Sequence, residues 1–204
     1  MRDRIFLLSP ASCGGKRAEL LFNDRATFDM AQQIRTPSGA PLGDVFSFLS
    51  GLYFRGKLAY ARYFASPVHG EDAISVITPN RGLVSPDASI GMADLRSFAE
   101  VDIDELDPRY RVPLDRDVQA LAARLPDTTD VVLLGSVATG KYCSVLLEWL
   151  NDRLLFPKDF VGRGDMSRGG LLLRSAAEGR ELDYIPVAGA VRKGSRPARL
   201  PKRA

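Results

Sequence analysis

Short apolar runs alternate with helix-like patterns along this chain, and that alternation restricts the fold more than any other feature. The sequence predicts strands at residues 4–9, 73–78, 131–134, 153–156 and 183–187, and helices at 16–35, 43–65, 114–125, 142–150 and 166–177. Several strand runs are apolar throughout, which is typical of strands buried on both faces. We therefore expect an α/β fold with a largely parallel, Rossmann-like sheet flanked by helices.

Two of the predicted boundaries depend on glycine and proline. A break in the helix at 43–65 is expected near Gly51 or Gly56, because glycine inside a helix costs about 1 kcal/mol relative to alanine. The acidic segment 100–113 ends in a proline and contains a second one, so it is predicted to be a surface excursion.

Chain length and charge divide the sequence into a body and a tail. A chain of 204 residues suits one domain, which we place at residues 1–190. Residues 191–204 carry six basic residues and no acidic one, a composition typical of a flexible basic tail. Without those six charges the formal net charge of +3 becomes −3. The tail is either a solubilising end or an arm that contacts phosphates.

Several function classes are disfavoured by composition. No apolar stretch approaches the roughly 20 residues that span a bilayer, and no signal-peptide pattern opens the chain. We expect a cytoplasmic protein without a membrane partner. The only histidine, His69, and the isolated cysteines Cys13 and Cys143 do not form a metal-ligand spacing, so no metal site and no cofactor is predicted.

Three loops combine glycines with basic and small hydroxyl residues at residues 9–17, 135–142 and 162–170. The first two follow predicted strands and precede predicted helices, where free backbone amides attract anions. Because ligands bind outside the carboxyl ends of parallel strands, we expect the three loops to share one rim. The predicted phosphate ligands are Ser9, Ser12, Gly14, Gly15, Lys16, Arg17, Gly135, Ser136, Thr139, Gly140, Lys141, Arg163, Gly164, Ser167 and Arg168.

The second loop is close to a phosphate-binding P-loop sequence. Gly135, Gly140 and Lys141 have the required spacing, but Tyr142 occupies the position at which Ser or Thr would hold magnesium. A looser anion site is favoured over a triphosphate hydrolase. The alternative is a tight turn with Lys141 in solvent.

Cys13 lies among glycines and basic residues at a predicted helix start, an environment that lowers the pKa of a thiol. A nucleophile of this kind needs a base, and nothing in the sequence connects His69 to Cys13. Cys13 is therefore either a catalytic candidate or a small turn residue, and His69 is interpreted as a solvated loop residue.

The third loop places Asp165 between Arg163 and Arg168. The two guanidinium groups could clamp a phosphate or carboxylate while Asp165 orients one of them or takes a proton. The alternative is a flexible surface loop whose charges pair with each other.

Short blocks of the sequence resemble the YaaA peroxide-stress proteins and related small bacterial proteins. They are Leu7-Leu8-Ser9-Pro10-Ala11 with Lys16 beyond it, the aromatic run at 52–57, and the run Ile77-Thr78-Pro79-Asn80-Arg81-Gly82-Leu83-Val84-Ser85-Pro86-Asp87. An accessory domain of archaeal tRNA-guanine transglycosylases has a similar order of blocks. The resemblance implies a YaaA-like α/β fold with a charged cleft, association with DNA or modified bases, and a link to oxidative damage.

Three hypotheses remain open from the sequence. In the first, the basic loops form a cleft for the phosphates of a nucleotide or nucleic acid, with DNA favoured over RNA. The second is an enzyme acting on a nucleoside or nucleotide, with Asp165 as acid, base or nucleophile and Cys13 as the reserve candidate. In the third, the chain is a non-enzymatic accessory protein whose tail contacts nucleic acid.

Overall fold

The computed structural model describes residues 3–66, 72–138, 140–192 and 194–198. Its strands are β1 Arg4–Leu8, β2 Ala40–Pro41, β3 Ile74–Ile77, β4 Leu83–Val84, β5 Ser89–Ile90, β6 Asp130–Leu134, β7 Leu154–Pro157 and β8 Tyr184–Pro186. Its helices are α1 Lys16–Phe22, α2 Asp29–Gln33, α3 Leu42–Ser50, α4 Leu52–Phe64, α5 Met92–Ala99, α6 Pro108–Arg124, α7 Gly140–Leu150 and α8 Asp165–Glu178. Short 3-10 turns lie at Asn151–Arg153 and Lys158–Phe160.

The main sheet has the strand order β4-β3-β1-β6-β7-β8. The four central strands β3, β1, β6 and β7 are parallel, and the edge strands β4 and β8 are antiparallel to their neighbours. This confirms the predicted α/β class with a largely parallel sheet. The apolar side chains of β1 and β6 are buried, as expected for strands covered on both faces.

Helices cover the sheet in two layers. The chain moves from β1 to β3 in one direction across the sheet and from β3 to β6 in the other, so right-handed crossovers place the connecting helices on opposite faces. In agreement, α4 packs on α8, and α6 packs on α7. A separate pairing of β2 with β5 closes the loop region beside α3.

Each predicted strand is present with shifts of one or two residues at its ends, and the helices predicted at 16–35 and 114–125 differ in their bounds from the structure. The helix expected at 16–35 is divided into α1 and α2. The helix expected at 43–65 breaks at Gly51, one of the two predicted positions, where a φ of 62° lies in the left-handed region, while α4 continues through Gly56.

The predicted surface excursion at 100–113 is too long, because α6 already begins at Pro108. The side chain of Asp107 caps this helix by accepting a hydrogen bond from the backbone amide of Arg109 at 2.9 Å. Pro108 occupies the first helical position, where a missing N–H costs nothing, and Pro113 lies inside the helix. Pro108 thus begins this helix, and Pro113 does not end it.

Two glycines set the distance between α4 and α8. A Cβ placed on Gly56 would lie 2.6 Å from the carbonyl oxygen of Gly169, and one placed on Gly169 would lie 2.7 Å from the carbonyl oxygen of Leu52. The helices therefore cross with their backbones in contact. This crossing brings α8 over the buried polar residues of α4.

The predicted basic tail is only partly covered by the described residues. Residues 194–198 lie beside the loop before α8, since a Cβ on Gly162 would meet the carbonyl oxygen of Ser195 at 2.1 Å. Position 193 and residues 199–204 lie outside the described part of the chain. Within that part, no helix is long and apolar enough to cross a bilayer.

Candidate functional site

A crevice opens where the strand order reverses, between β1 and β6. Leu8 pairs with Leu134 at the carboxyl ends of these parallel strands, so the next residues, Ser9 and Gly135, lie side by side. A Cβ on Gly135 would lie 2.9 Å from the Ser9 Cβ, so glycine is needed for this close approach. Parallel sheets bind ligands at such reversal points.

The crevice encloses about 460 Å³, and its walls come mainly from the loop after β1, the start of α7, and the end of α5 with the loop that follows it. Its lining includes Ser12, Cys13 and Gly14 from the first loop and Lys141 and Tyr142 from the start of α7. The first two of the three predicted loops therefore meet, as the sequence predicts.

The basic residues of the first loop lie elsewhere. Gly15 is the N-cap of α1, and Lys16 is exposed in the first turn without lining the crevice. The Arg17 guanidinium donates a hydrogen bond to the carbonyl oxygen of Phe48 at 2.8 Å and thereby joins α1 to α3. Arg17 therefore makes an intramolecular hydrogen bond at the protein surface and does not line the crevice.

Cys13 does not have the activated thiol that its neighbours in sequence suggest. Only 5% of the residue is exposed, and its Sγ points to the carbonyl oxygen of Ala11 at 3.6 Å. Burial raises the pKa of the thiol to about 12, so the expectation of a lowered pKa is wrong. The glycines and basic residues around Cys13 do not offset the loss of water at the sulfur.

In the second loop, Gly135 is buried against Ser9, Ser136 is half-buried, and Gly140 and Lys141 are exposed. Thr139 lies outside the described residues. Lys141 is the cation of this loop that faces the crevice. The tight-turn interpretation and the anion-site interpretation both fit its exposed position.

An acidic cavity of about 490 Å³ adjoins the crevice and shares Lys141 with it. Its carboxylates are those of Asp102, Asp104 and Glu105. Ser144 of α7 donates a hydrogen bond to Glu105, which also lies beside Gly140. Lys141 is therefore placed between a crevice with polar walls and a row of negative charges.

A buried polar row lies beneath the crevice. Ser9 is 3% exposed and Lys57 of α4 is 1% exposed. The Lys57 Nζ donates hydrogen bonds to the carbonyl oxygen of Ser9 at 2.5 Å and to its Oγ at 2.9 Å. The row thus joins Ser9, directly after β1, to Lys57 of α4.

Aromatic rings and α8 complete the surroundings of Lys57. Its Nζ lies 4.7 Å from the ring centres of both Tyr53 and Phe54. Burial lowers the pKa of Lys57 to about 7, while the carboxylate of Asp165 raises it and the guanidinium of Arg168 lowers it to smaller extents. Uncharged and charged forms of this amine are therefore both accessible near neutral pH.

Tyr53 adds a hydroxyl that is buried without a hydrogen-bond partner of normal geometry among the described residues. Burial raises its pKa, and the neighbouring Arg168 guanidinium opposes that shift. Burial likewise raises the pKa of Tyr142, and the side chain of Ser9 opposes the shift. Both phenols are held in the neutral form.

The third loop separates into two parts. Arg168 is buried, donates to the carbonyl oxygen of Phe160 at 3.1 Å through Nη2, and forms an ion pair with the exposed Asp165 at 3.5 Å. Arg163, Gly164 and Ser167 instead line a groove of about 360 Å³ against residues 194–198. The prediction that all three loops line one cavity is met by the first two loops only. Asp165 and Arg168 of the third loop instead influence the pKa of the buried Lys57.

Lys57 and Tyr142 are the site residues that sequence reasoning did not place. A signal for Lys57 exists, because it lies three residues after Phe54 and four before Ala61, on the apolar face of α4. A charged residue at such a position needs a buried partner. The partner could not be named from sequence, since Ser9 is 48 residues away.

Comparison of the chain with protein-family models, with curated proteins and with solved structures gives no match. Among the described residues, no group of three or more His, Cys, Asp or Glu side chains is arranged to hold a metal ion. His69 lies outside the described residues. The case for function therefore depends on the geometry of the crevice.

Proposed function

We propose that this protein binds a phosphorylated nucleotide in the crevice between β1 and β6. The observation that carries the proposal is the reversal of strand order, which brings two glycine-rich loops together around about 460 Å³, with both Lys141 and Ser12 in the lining. This volume lies in the range of small-ligand sites. The proposal agrees with the charged cleft that the resemblance to YaaA proteins implies, and it names a nucleotide as the ligand of that cleft.

The phosphate end of the ligand would lie between the two loops. Lys141 supplies a positive charge, Ser12 an exposed hydroxyl, and Gly14 a backbone that a phosphate can approach because nothing lies within 4 Å of its open side. Charge-assisted hydrogen bonds of this kind are stronger than those between neutral groups.

The neighbouring carboxylates favour a short nucleotide over a nucleic-acid strand in this crevice. Asp102 lines both cavities, and Asp104 and Glu105 line the second one together with Lys141. A row of carboxylates repels the successive phosphates of a strand, whereas it can accept hydrogen bonds from the hydroxyls of one sugar.

A second candidate function, nucleic-acid binding, is favoured by a different surface. Arg196 of the basic tail lies with Arg163 and Arg174 along the groove beside α8, separate from the crevice. Three guanidinium groups along one groove suit a run of phosphates. A strand bound there would leave the crevice free.

Calorimetric titration of AMP into the wild type, Lys141→Ala and Lys16→Ala tests the proposal. A hydrogen bond to a charged group contributes about 1.5–3 kcal/mol, so Lys141→Ala should weaken AMP binding at least about tenfold. Lys16→Ala is the matched control, because Lys16 is also exposed at a helix start but lies outside the crevice. It should leave the affinity unchanged.

Two results would contradict the crevice proposal: equal losses in the two lysine variants, or an absence of binding by AMP, ADP and ATP. A parallel titration with a single-stranded DNA oligonucleotide separates the second candidate. Binding in the arginine-lined groove should fall steeply with salt and should be insensitive to Lys141→Ala.

A further inference from the structure

A carboxylate of this chain lies at the start of α7, where the second loop would offer its backbone to a phosphate. A Cβ placed on Gly140, the first residue of α7, would lie 3.3 Å from Oε1 and 3.7 Å from Oε2 of Glu105. The hydroxyl of Ser144, one turn further along the helix, donates a hydrogen bond to Glu105 Oε2. Helix N-termini favour carboxylates for the same reason that they favour phosphates. Glu105 therefore takes the position that an anionic ligand of this helix start would use.

The backbone around Glu105 holds it there. The amide of Leu106 donates a hydrogen bond to the Asp104 side chain at 3.0 Å, and the amide of Asp107 donates one to the Asp104 carbonyl oxygen at 3.0 Å. Asp107 in turn caps α6, which packs on α7. Glu105 thus belongs to a tight turn that is fixed to the layer containing α7.

The charges around Lys141 treat one phosphate and several phosphates differently. Among the described residues, Lys141 forms no ion pair within 4 Å, so its charge is available to a phosphate in the crevice. Further phosphates that extended along the second loop would meet Glu105, with Asp102 and Asp104 beside it. Tyr142 offers no Ser or Thr hydroxyl for the magnesium that offsets polyphosphate charge in phosphate-binding loops. Like charges at such short range repel strongly.

We propose that Glu105 makes the crevice selective for nucleoside monophosphates. Its carboxylate occupies the start of α7, which the β- and γ-phosphates of a di- or triphosphate would need, whereas a single phosphate needs only Lys141 and the first loop. The proposal rests on the proposed function for the class of ligand and adds the number of phosphates. Glu105 is therefore a specificity-determining residue that acts by occupying part of the anion site.

Calorimetric titrations of AMP, ADP and ATP into the wild type and Glu105→Gln test this selectivity. They are done at one ionic strength with EDTA present, so that no divalent cation screens the phosphates. The Gln side chain keeps the size of Glu and an oxygen that can accept from Ser144, but it carries no charge. The wild type should bind ATP at least about tenfold more weakly than AMP. In Glu105→Gln the ATP affinity should rise at least about tenfold, and the AMP affinity should stay within about threefold.

Glu148→Gln is the matched control, because it makes the same change at the other end of the same helix. Glu148 pairs with Arg111 and lines neither the crevice nor the acidic cavity. It lies about 12 Å from Gly140 along the helix axis, which exceeds the Debye length of about 8 Å at physiological ionic strength. The ratio of ATP to AMP affinity should stay within about twofold of the wild type.

An ATP affinity in Glu105→Gln equal to that of the wild type, or an equal rise in Glu148→Gln, would overturn the inference. Repeating the ATP titrations with magnesium adds another test. If magnesium strengthens ATP binding in the wild type but not in Glu105→Gln, then Glu105 holds the metal and does not exclude phosphates. If AMP does not bind to the wild type, the proposed function fails, and the ATP affinities of the wild type and Glu105→Gln still decide whether Glu105 closes the second loop.

Discussion

The crevice between β1 and β6 and the groove beside α8 begin from loops of similar composition and end as different surfaces. In the crevice, the loop residues Ser9 and Gly135 are buried, and Lys141 is the exposed cation. In the groove, Arg163 and Arg196 lie along an open surface with residues 194–198. In this protein the glycine-rich, basic loops enclose a pocket where two parallel strands end side by side at a reversal of strand order, and form an open groove elsewhere.

A 3-10 turn accounts for much of the difference. The first two loops follow directly on β1 and β6, whereas Lys158–Phe160 intervenes between β7 and the third loop. The backbone then turns at Gly162 with a φ of 71°. Arg163 is thereby directed toward residues 194–198, and its guanidinium weakly contacts the carbonyl oxygen of Ala198 at 3.4 Å.

The crossing of α4 and α8 holds both regions in place, so breaking it should have the largest effect. Gly169→Val places a side chain where a Cβ would already lie 2.7 Å from the carbonyl oxygen of Leu52. We expect the free energy of unfolding to fall by about 3 kcal/mol or more, because backbone atoms cannot move aside as a flexible side chain can. Urea denaturation measures the change.

The same substitution at Gly14 is the control for that experiment. Nothing lies within 4 Å of a Cβ at Gly14, so Gly14→Val should change stability by about 0.5 kcal/mol or less. Equal losses in the two variants would mean that the helix crossing is not the point of strain.

A second test concerns the buried floor of the crevice, through the pH dependence of Lys57→Met. The folded protein lowers the pKa of Lys57 from 10.5 to about 7, so between these pH values the unfolded chain holds a proton that the folded chain lacks. The stability of the wild type therefore rises with pH in this window, by about 1.4 kcal/mol per unit relative to the Met variant. Below pH 7 the difference should be constant.

Urea denaturation at pH 6, 7.5 and 9 measures this difference, and about 2 kcal/mol is expected between the last two values. Lys16→Met is the control, because Lys16 is exposed and its substitution should give a curve parallel to that of the wild type. A Lys57→Met curve parallel to the wild type would show that Lys57 titrates as an exposed lysine does.

The sequence predicts the sheet well because each strand can be identified from its own run of residues. The runs that become β1 and β6 are apolar throughout, and their neighbours in the chain identify the loops that follow. The break at Gly51 is also predictable, since its positive φ requires glycine. The start of α6 before residue 114 is not predictable, because Asp107 acts as a cap only when the chain after it turns into the helix.

The site is predicted less well because its chemistry depends on contacts between distant residues. Ser9 is among the predicted ligands, but its partner Lys57 comes from another layer of the fold and acquires its lowered pKa only through burial. The prediction for Cys13 is wrong for the same reason, because burial raises the pKa of its thiol more than the neighbouring glycines and basic residues lower it. Sequence patterns therefore identify the loops that form the crevice, but they do not show which side chains are buried away from water.

The smallest effect is expected from Arg163→Ala, which tests whether the two regions are independent. Arg163 lies in the groove and donates weakly to Ser167 at 3.3 Å, so its loss should change AMP affinity by less than about twofold, against about tenfold for Lys141→Ala. Calorimetry on both variants under one set of conditions makes the comparison. A loss in Arg163→Ala as large as that in Lys141→Ala would place the third loop at the ligand after all. The sequence-based prediction of one shared cavity would then describe the bound protein better than the separation of crevice and groove does.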